Sequence, residues 1–185
     1  LIEYPYGCVE QTTSSVFPQL YLSRLTDLSS YQKALTDRNI KSGILRLQAF
    51  QLPDGGLSYW PDSSPSDEWG SNYAGHFMLA AQAAGYSIPA GFIDHWKNFQ
   101  RKKALSWAPD PHSFYGADEV QAYRLYLLSL AHAPELGAMN RLKEFPYITV
   151  EAKWSLAAAY KLAGQPEIAM KMTANLPTTI KPYNL

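Results

Sequence analysis

The chain has 185 residues, of which 46% are hydrophobic, and sixteen basic residues balance sixteen acidic ones. This length and composition suit a folded chain with one core, and we expect a single domain over residues 1–185. The charge balance gives no reason to expect a nucleic-acid partner or direct membrane contact, and no uncharged stretch is long enough to span a bilayer. The only cysteine excludes an internal disulfide framework and a multi-cysteine zinc site. We expect no metal and no other cofactor.

Helical periodicity runs through most of the chain. A short apolar face follows Pro18, and a helix with Ser30 as its N-cap is predicted to reach about residue 50. A polar loop rich in glycine and proline covers about residues 52–70. Clear β-hairpin signals are missing, which predicts an all-α fold. Six further helices are predicted, at residues 73–84, 91–105, 118–131, 137–145, 150–163 and 166–176.

Three segments, beginning near residues 78, 127 and 156, repeat one pattern. Each has an Ala/Leu-rich helix, a Gly or Pro stop and a more polar helix. A helix pair cannot bury its apolar face alone, so the pairs are expected to stack with the small-residue helices inside. Stacking gives either an open superhelix of tetratricopeptide type or a closed ring of paired helices. The irregular spacing and the lack of a strict Trp-Leu-Gly-Tyr repeat favour the ring.

Residues 51–60 read Gln-Leu-Pro-Asp-Gly-Gly-Leu-Ser-Tyr-Trp. They resemble the inter-helix loop of α/α-toroid proteins, which include terpene cyclases, prenyltransferases and complement-type thioester domains. Paired glycines permit a turn with positive φ, and the aromatic residues are expected to plug the gap between neighbouring helices. We interpret the motif as structural. The resemblance implies an α/α toroid of paired inner and outer helices.

Cys8 and Gln11 carry the chemistry that the sequence suggests most strongly. They lie about one helical turn apart, so their side chains can meet on one face. Attack of the thiolate on the Gln11 carboxamide would release ammonia and leave a thioester. A helix N-terminus favours the thiolate, and Gly7 allows a sharp turn before the helix. Because water hydrolyses such a bond, we expect Tyr4 and Tyr6, on either side of a proline, to shield it.

Residues 7–11, Gly-Cys-Val-Glu-Gln, match the Gly-Cys-x-Glu-Gln motif of the α2-macroglobulin and complement thioester proteins. Pro18 follows the cysteine at that family's spacing, and the opening as a whole looks most like the bacterial α2-macroglobulins. The resemblance implies a partial thioester domain with an incomplete ring, because the family's domain is longer than this chain. Glu10 either helps the helix start, positions Gln11 or is a solvated first-turn carboxylate.

The same resemblance implies that the parent protein traps proteases. Cleavage of a bait segment elsewhere exposes the thioester, and a surface amine of the protease attacks the Gln11 carbonyl. The products are an amide at Gln11 and a free Cys8 thiol, so the protein is a single-use inhibitor rather than an enzyme. Target proteases and the other domains of the parent chain are the expected partners. The implied location is the periplasm or cell envelope.

Histidines are a second candidate site. In complement members that attack hydroxyls, a histidine far downstream of the cysteine takes the acyl group first. His112 lies in about the right region, although a solvent-facing loop histidine is the simpler interpretation. Tyr115 in the same loop is a further candidate shield. We interpret the remaining histidines as packing or surface residues: His76, His95 and His132.

Two alternatives stay open at this point. In the first, the chain is a helical-repeat protein-binding scaffold and Cys8, like many buried cysteines, is a small structural hydrophobe. In the second, it is a toroid enzyme of the terpene cyclase or glycan-processing kind, with a groove around Asp54 and Trp60. The sequence has no second acidic cluster of the kind that prenyl transfer needs, no nucleotide-binding Gly-rich loop and no His-Glu-x-x-His motif.

Overall fold

A computed structural model describes residues 2–108 and 116–178. Helices account for most of these residues, so the predicted all-α fold class is confirmed. The chain divides into two compact units, Leu1–Lys103 and Ala104–Leu185. None of the described helices combines the length and the apolar character that crossing a bilayer requires.

The first unit holds the N-terminal helices and a small strand pair. The N-cap of its longest helix is Ser29, whose hydroxyl accepts a hydrogen bond from the backbone N–H of Gln32. The prediction of Ser30 as the cap is therefore wrong by one residue. The elements in chain order are α1 (Val9–Val16), a 3-10 helix (Pro18–Tyr21), α2 (Leu22–Leu25), α3 (Ser30–Gln48), β1 (Leu57–Ser58), β2 (Ser66–Asp67), α4 (Glu68–Ala83) and most of α5 (Phe92–Ser106).

Helix α1 is held between α3 and α4 by two close approaches. A Cβ on Gly43 of α3 would lie 2.8 Å from the Cγ1 atom of Val16, and one on Gly70 of α4 would lie 2.5 Å from the Cγ1 atom of Val9. Both valines are fully buried. Because interiors pack at crystal-like density, these contacts leave α1 little freedom to shift. The two ends of α1 are thereby fixed against different helices.

The loop at residues 51–60 makes the tight glycine turn that we inferred for it. Gly55 has a φ of +92°, and the Asp54 carboxylate accepts hydrogen bonds from the Gly56 backbone N–H (2.9 Å) and the Ser66 hydroxyl (3.0 Å). Residues 57–58 of this segment form β1, which pairs with β2 as an antiparallel pair of two-residue strands that the sequence did not predict. The absence of hairpin signals from the sequence thus hid this short pair.

The aromatic plug of this region comes from a different residue than expected. Trp60 is 51% exposed and does not fill an inter-helix gap. The fully buried Trp96 of α5 fills one instead, and its ring occupies the space where Gly75 of α4 has no side chain. Its indole N–H donates to the Ser71 carbonyl oxygen over 2.8 Å. The packing role that we assigned to the loop aromatic thus belongs to a helix.

The second unit has its own core, built mainly from α6 (Ala117–Leu130) and α8 (Val150–Leu162). The small-residue helices supply most of the buried residues, and α7 (Leu136–Lys143) and α9 (Pro166–Thr173) pack on them with fewer. The Tyr160 hydroxyl of α8 donates to the Asn140 side-chain oxygen of α7 over 2.6 Å. This alternation of buried and more polar helices agrees with the repeat pattern in the sequence.

Candidate functional site

Cys8 is the N-cap residue of α1 and is almost completely buried. Its backbone N–H donates a hydrogen bond to the side-chain oxygen Oε1 of Gln11 over 3.1 Å. The Cys8 side chain in turn faces the backbone N–H of Gln11, so the two residues form a capping box at the start of α1. The structure therefore brings together the cysteine and the glutamine that the sequence paired.

Gly7 makes this arrangement possible for two separate reasons. Its φ of +88° lies in the left-handed region, which residues with a Cβ adopt at a cost. A Cβ at this position would also lie 2.1 Å from Oε1 and 2.9 Å from Cδ of Gln11. The carboxamide therefore packs directly on the Gly7 backbone, in space that only glycine leaves open.

Arg46 of α3 fixes the turn that precedes the cysteine. Its Nη2 atom donates to the carbonyl oxygen of Gly7 over 2.8 Å, and its Nε atom donates to the hydroxyl of the buried Thr12 over 3.2 Å. Sequence reasoning did not identify Arg46, because it lies far along the chain in an ordinary amphipathic helix. An arginine on that helix gives no local signal of its partner.

Tyr59 is a second residue that the sequence did not single out for the site. Its backbone oxygen accepts from the Val9 N–H over 3.0 Å, and its hydroxyl donates to Oε2 of Glu10 over 3.2 Å. The Cys8 side chain, followed by the Glu10 carboxylate, raises the pKa of Tyr59 to about 12. The phenol thus stays protonated at neutral pH between the thiol and the carboxylate.

Tyr4 and Tyr6 stand beside Gln11 without covering it. Their ring centroids are 4.6 Å apart, yet Tyr4 is 45% exposed and Tyr6 is 70% exposed. Gln11 itself is exposed. The tyrosines and the glutamine line one open cleft of about 600 Å³, whose walls are formed by Glu3, Tyr4, Tyr6, Gly7, Gln11, Ser14 and Ser15. The sulfur side of the site is therefore enclosed and the carboxamide side is open.

The other predicted site residues are farther away or lie outside the described residues. Pro18 opens the 3-10 helix after α1, as its fixed φ favours. His112 and Tyr115 fall between the two described ranges, so their predicted roles stay predictions. His76 packs its ring edge-on against Phe17 at 5.0 Å, which agrees with a packing role. Within residues 2–108 and 116–178 no cluster of His, Cys, Asp and Glu could hold a metal ion.

Comparison with known proteins identifies the kind of domain that carries this site. The sequence profile of the A-macroglobulin TED domain matches residues 1–105. The chain is 30% identical to the α2-macroglobulin of Escherichia coli over 154 residues, which cover 76% of this chain and 9% of that protein. It is 29% identical to the α2-macroglobulin of Xylella fastidiosa over 153 residues, which cover 77% of this chain and 9% of the relative.

Solved structures give the same answer. Trypsin-activated α2-macroglobulin from Escherichia coli superimposes with a TM-score of 0.78 at 26% identity, over 92% of this chain and 13% of that one. Salmonella α2-macroglobulin reacted with methylamine gives a TM-score of 0.75 at 25% identity, over 97% of this chain and 12% of that one. The chain belongs to the A-macroglobulin TED domain family. It spans about a tenth of the length of the relatives that it matches.

Proposed function

We propose that Cys8 and Gln11 condense into an internal thioester, and that the domain transfers the Gln11 acyl group to an amine of an attacking protease. One observation carries the proposal. The Gln11 carboxamide folds back onto the Gly7 backbone, with Oε1 3.1 Å from the backbone nitrogen of the buried Cys8. The same glutamine placement closes an ordinary capping box at Ser29 and Gln32 of α3, so the support for a thioester comes from finding it beside a buried cysteine and a glycine that makes room for the carboxamide.

The geometry supports the forming step. The Cys8 thiolate adds to Cδ of Gln11, negative charge develops on Oε1, and the C–N bond breaks as ammonia leaves. Backbone N–H groups aimed at a developing oxyanion are effective because they are already in place. The Cys8 N–H has this position, and it belongs to the N-terminal end of α1, where the helix dipole favours negative charge.

The acyl-transfer step follows from the same atoms. An amine nitrogen attacks the thioester carbonyl carbon, the C–S bond breaks, and the products are an amide at Gln11 and a thiol at Cys8. Each molecule reacts once, so the proposed role is that of an inhibitor and not of an enzyme. Two related proteins support the choice of an amine and a protease as the reacting partners. The Salmonella protein was crystallised after reaction with methylamine, and the Escherichia coli protein after activation by trypsin.

The open cleft adds a requirement for shielding. Because Gln11 is exposed among the described residues, water would reach a thioester carbonyl there. We propose that Tyr4, Tyr6 and Tyr115 contribute to the cover and that other domains of a longer parent chain complete it. The proposed location is the periplasm or cell envelope, where a thiol is safer when masked. His112 remains the proposed acyl acceptor for hydroxyl targets.

Intact-mass measurement of the untreated protein, in its natural sequence context, tests the proposal. The thioester form lacks one ammonia relative to the sequence, and its hydrolysed form carries glutamate at position 11. Methylamine should add to the thioester form and free a thiol, which is detected after denaturation. Cys8→Ala should abolish both effects while the helical circular dichroism spectrum is unchanged.

The same measurement distinguishes the alternatives. A protein-binding scaffold or a toroid enzyme would have the mass of the unmodified sequence, with an intact Gln11 and a thiol that labels fully in denaturant from the start. That result, in protein whose fold is verified, would rule out the thioester.

A further inference from the structure

A buried pair of amide side chains contacts two walls of the open cleft. Gln19, in the 3-10 helix after α1, is 2% exposed, and Asn39 of α3 is 1% exposed. The Nε2 atom of Gln19 donates to the carbonyl oxygen of Glu3 over 2.9 Å and to that of Ser15 over 2.8 Å. Its Oε1 atom accepts from Nδ2 of Asn39 over 3.2 Å. Glu3 and Ser15 both line the cleft, so one buried amide joins the segment before α1 to α1 itself.

Residues 3–7, which we call the tyrosine segment, form neither a helix nor a strand. Side chains from other parts of the first unit hold the main-chain oxygens at its two ends. Gln19 donates to the oxygen of Glu3 at the first end, and Arg46 donates to that of Gly7 over 2.8 Å at the other. Both shielding tyrosines lie between these two points. Only the second end adjoins the reacting cysteine.

The amide pair is a poor choice for packing alone. A buried amide costs free energy unless it is hydrogen-bonded, and replacing both partners by apolar groups of the same shape can be nearly neutral. Within residues 2–108 and 116–178, the Oδ1 atom of Asn39 has no hydrogen-bond partner. What the polar pair adds is a directed bond from the interior to the carbonyl oxygen of Glu3.

We propose that Asn39 and Gln19 are positioning residues that hold the tyrosine segment in place as part of the cover, and so determine how long the thioester survives in water. This inference rests on the thioester and the shielding proposed above. When the segment moves away, water adds to the Gln11 carbonyl carbon and the C–S bond breaks. A proton of the water ends on the sulfur, so the products are a carboxylic acid at position 11 and a thiol at Cys8.

The test measures hydrolysis in the intact parent chain without added amine, by labelling the Cys8 thiol in denaturant at successive times. Gln19→Met keeps the length of the side chain and removes both donors. The net effect of one hydrogen bond on a local opening equilibrium is a factor of about 2 to 10, so hydrolysis should be faster by about that factor. The amount of thioester formed, measured as thiol released by methylamine, should be unaltered.

Gln51→Met is the matched control. The Nε2 atom of Gln51 also donates to two main-chain oxygens, those of Gly55 over 3.2 Å and Phe92 over 3.0 Å. Neither acceptor belongs to the tyrosine segment, so this variant should hydrolyse at the wild-type rate. Urea unfolding shows whether the two glutamine substitutions lower stability by similar amounts.

Asn39→Ala is the second variant, and it decides the question if Gln19→Met fails to fold. It removes the donor that holds Oε1 of Gln19 and leaves Gln19 itself in place. Hydrolysis should again be faster, by a smaller factor than in Gln19→Met. Circular dichroism of every variant verifies the helical fold.

The outcomes separate the inference from the function on which it rests. A wild-type chain from which methylamine releases no thiol would overturn both proposals. A wild-type thioester, with folded Gln19→Met or Asn39→Ala hydrolysed at the same rate, would overturn the positioning role alone. Gln51→Met hydrolysed as fast as Gln19→Met would do so too, because general loss of stability would then explain both. Folded Gln19→Met that forms no thioester would place the effect on formation and also overturn the inference.

Discussion

Gly7 meets two structural requirements of the site at once. Its backbone has a positive φ, and its missing side chain leaves room for the Gln11 carboxamide. Gly85, after α4, has nearly the same φ of +93° but would meet nothing within 4 Å if it carried a Cβ. The two glycines therefore separate the cost of backbone strain from the cost of a blocked carboxamide.

Gly7→Ala is expected to abolish thioester formation, whereas Gly85→Ala should permit it. Both substitutions should lower the free energy of unfolding by about 1–2 kcal/mol through the left-handed backbone alone. Only the alanine at position 7 also displaces the Gln11 side chain. Urea unfolding gives the first quantity and intact mass the second. Ammonia loss by the Gly7→Ala variant at the unaltered rate would show that the carboxamide reaches the thiol by another route.

Some residues of the site can be predicted from the sequence, and others cannot. Gly7, Cys8, Glu10 and Gln11 are neighbours in the chain, so their arrangement follows from local helix geometry and a motif was sufficient to group them. Arg46 reaches the same site from α3, and Tyr59 reaches it from the loop before β2. Neither could be identified without the tertiary fold, because their own surroundings in the sequence look ordinary.

At the scale of elements, α3 acts on the site through Arg46. Arg46→Met should lower the free energy of unfolding by about 1.5 kcal/mol or more, because the Gly7 carbonyl loses a charged donor. It should also slow ammonia loss, since the turn before Cys8 is no longer fixed. The matched control is Arg38→Met, which removes another arginine of the same helix, one that lies outside the site. Equal effects of the two substitutions, by urea unfolding and intact mass, would contradict a specific contribution of Arg46.

The contact of α1 with α3 predicts that the effect of Gly43→Ala on stability depends on the side chain at position 16. In the wild-type background, Gly43→Ala forces its new methyl group onto Val16 and should destabilise by about 1–3 kcal/mol through overpacking. With Val16→Ala already present, only the Cβ atom of residue 16 remains close, at 3.2 Å, so the same change should be nearly neutral, because the helix-propensity gain of up to about 1 kcal/mol offsets the remaining crowding. A four-member cycle of urea unfolding curves measures the coupling. Additive effects would mean that the helices separate without cost.

Boundaries of elements were predictable only where capping residues were read correctly. Asp67 caps α4 by accepting from the Gly70 N–H, so the helix starts at Glu68 and not at residue 73 as periodicity suggested. Residues 68–72 show no apolar periodicity in the sequence, because their close contact with Val9 is made by Gly70, which has no side chain. Periodicity therefore gave no sign of this first helical turn. The packing role given to Trp60 belongs to Trp96 because either ring could fill the gap, and only the fold decides which one does.

At the scale of the whole molecule, stability should depend on pH through His76. Burial lowers the pKa of His76 from its ordinary value of 6.5, and its ring packs against Phe17. The unfolded chain therefore binds a proton more readily than the folded one, so this contribution to stability is complete above pH 6.5 and is lost as the pH falls from there through the lower pKa of the folded state. His76→Phe keeps the aromatic packing and cannot be protonated. Urea unfolding above and below pH 6.5 should show a smaller acid-induced loss in the variant than in wild type.

The general class of the molecule was the easiest property to predict. Long amphipathic helices and repeated Ala/Leu segments follow from periodicity alone, and the all-α fold is confirmed. The incomplete ring and the single domain over residues 1–185 stay predictions. Both concern how distant parts of the chain associate, and helical periodicity carries no information about that.

The unequal enclosure of the two reacting side chains also bears on how the reaction can be followed. Cys8 is 2% exposed, whereas Gln11 faces the open cleft. A bulky maleimide added to native protein should therefore lag behind incorporation of a small amine, and counting accessible sulfhydryls would undercount spent molecules. Mass gain from the maleimide, timed against mass gain from the amine, would reveal this delay as a property of the folded domain.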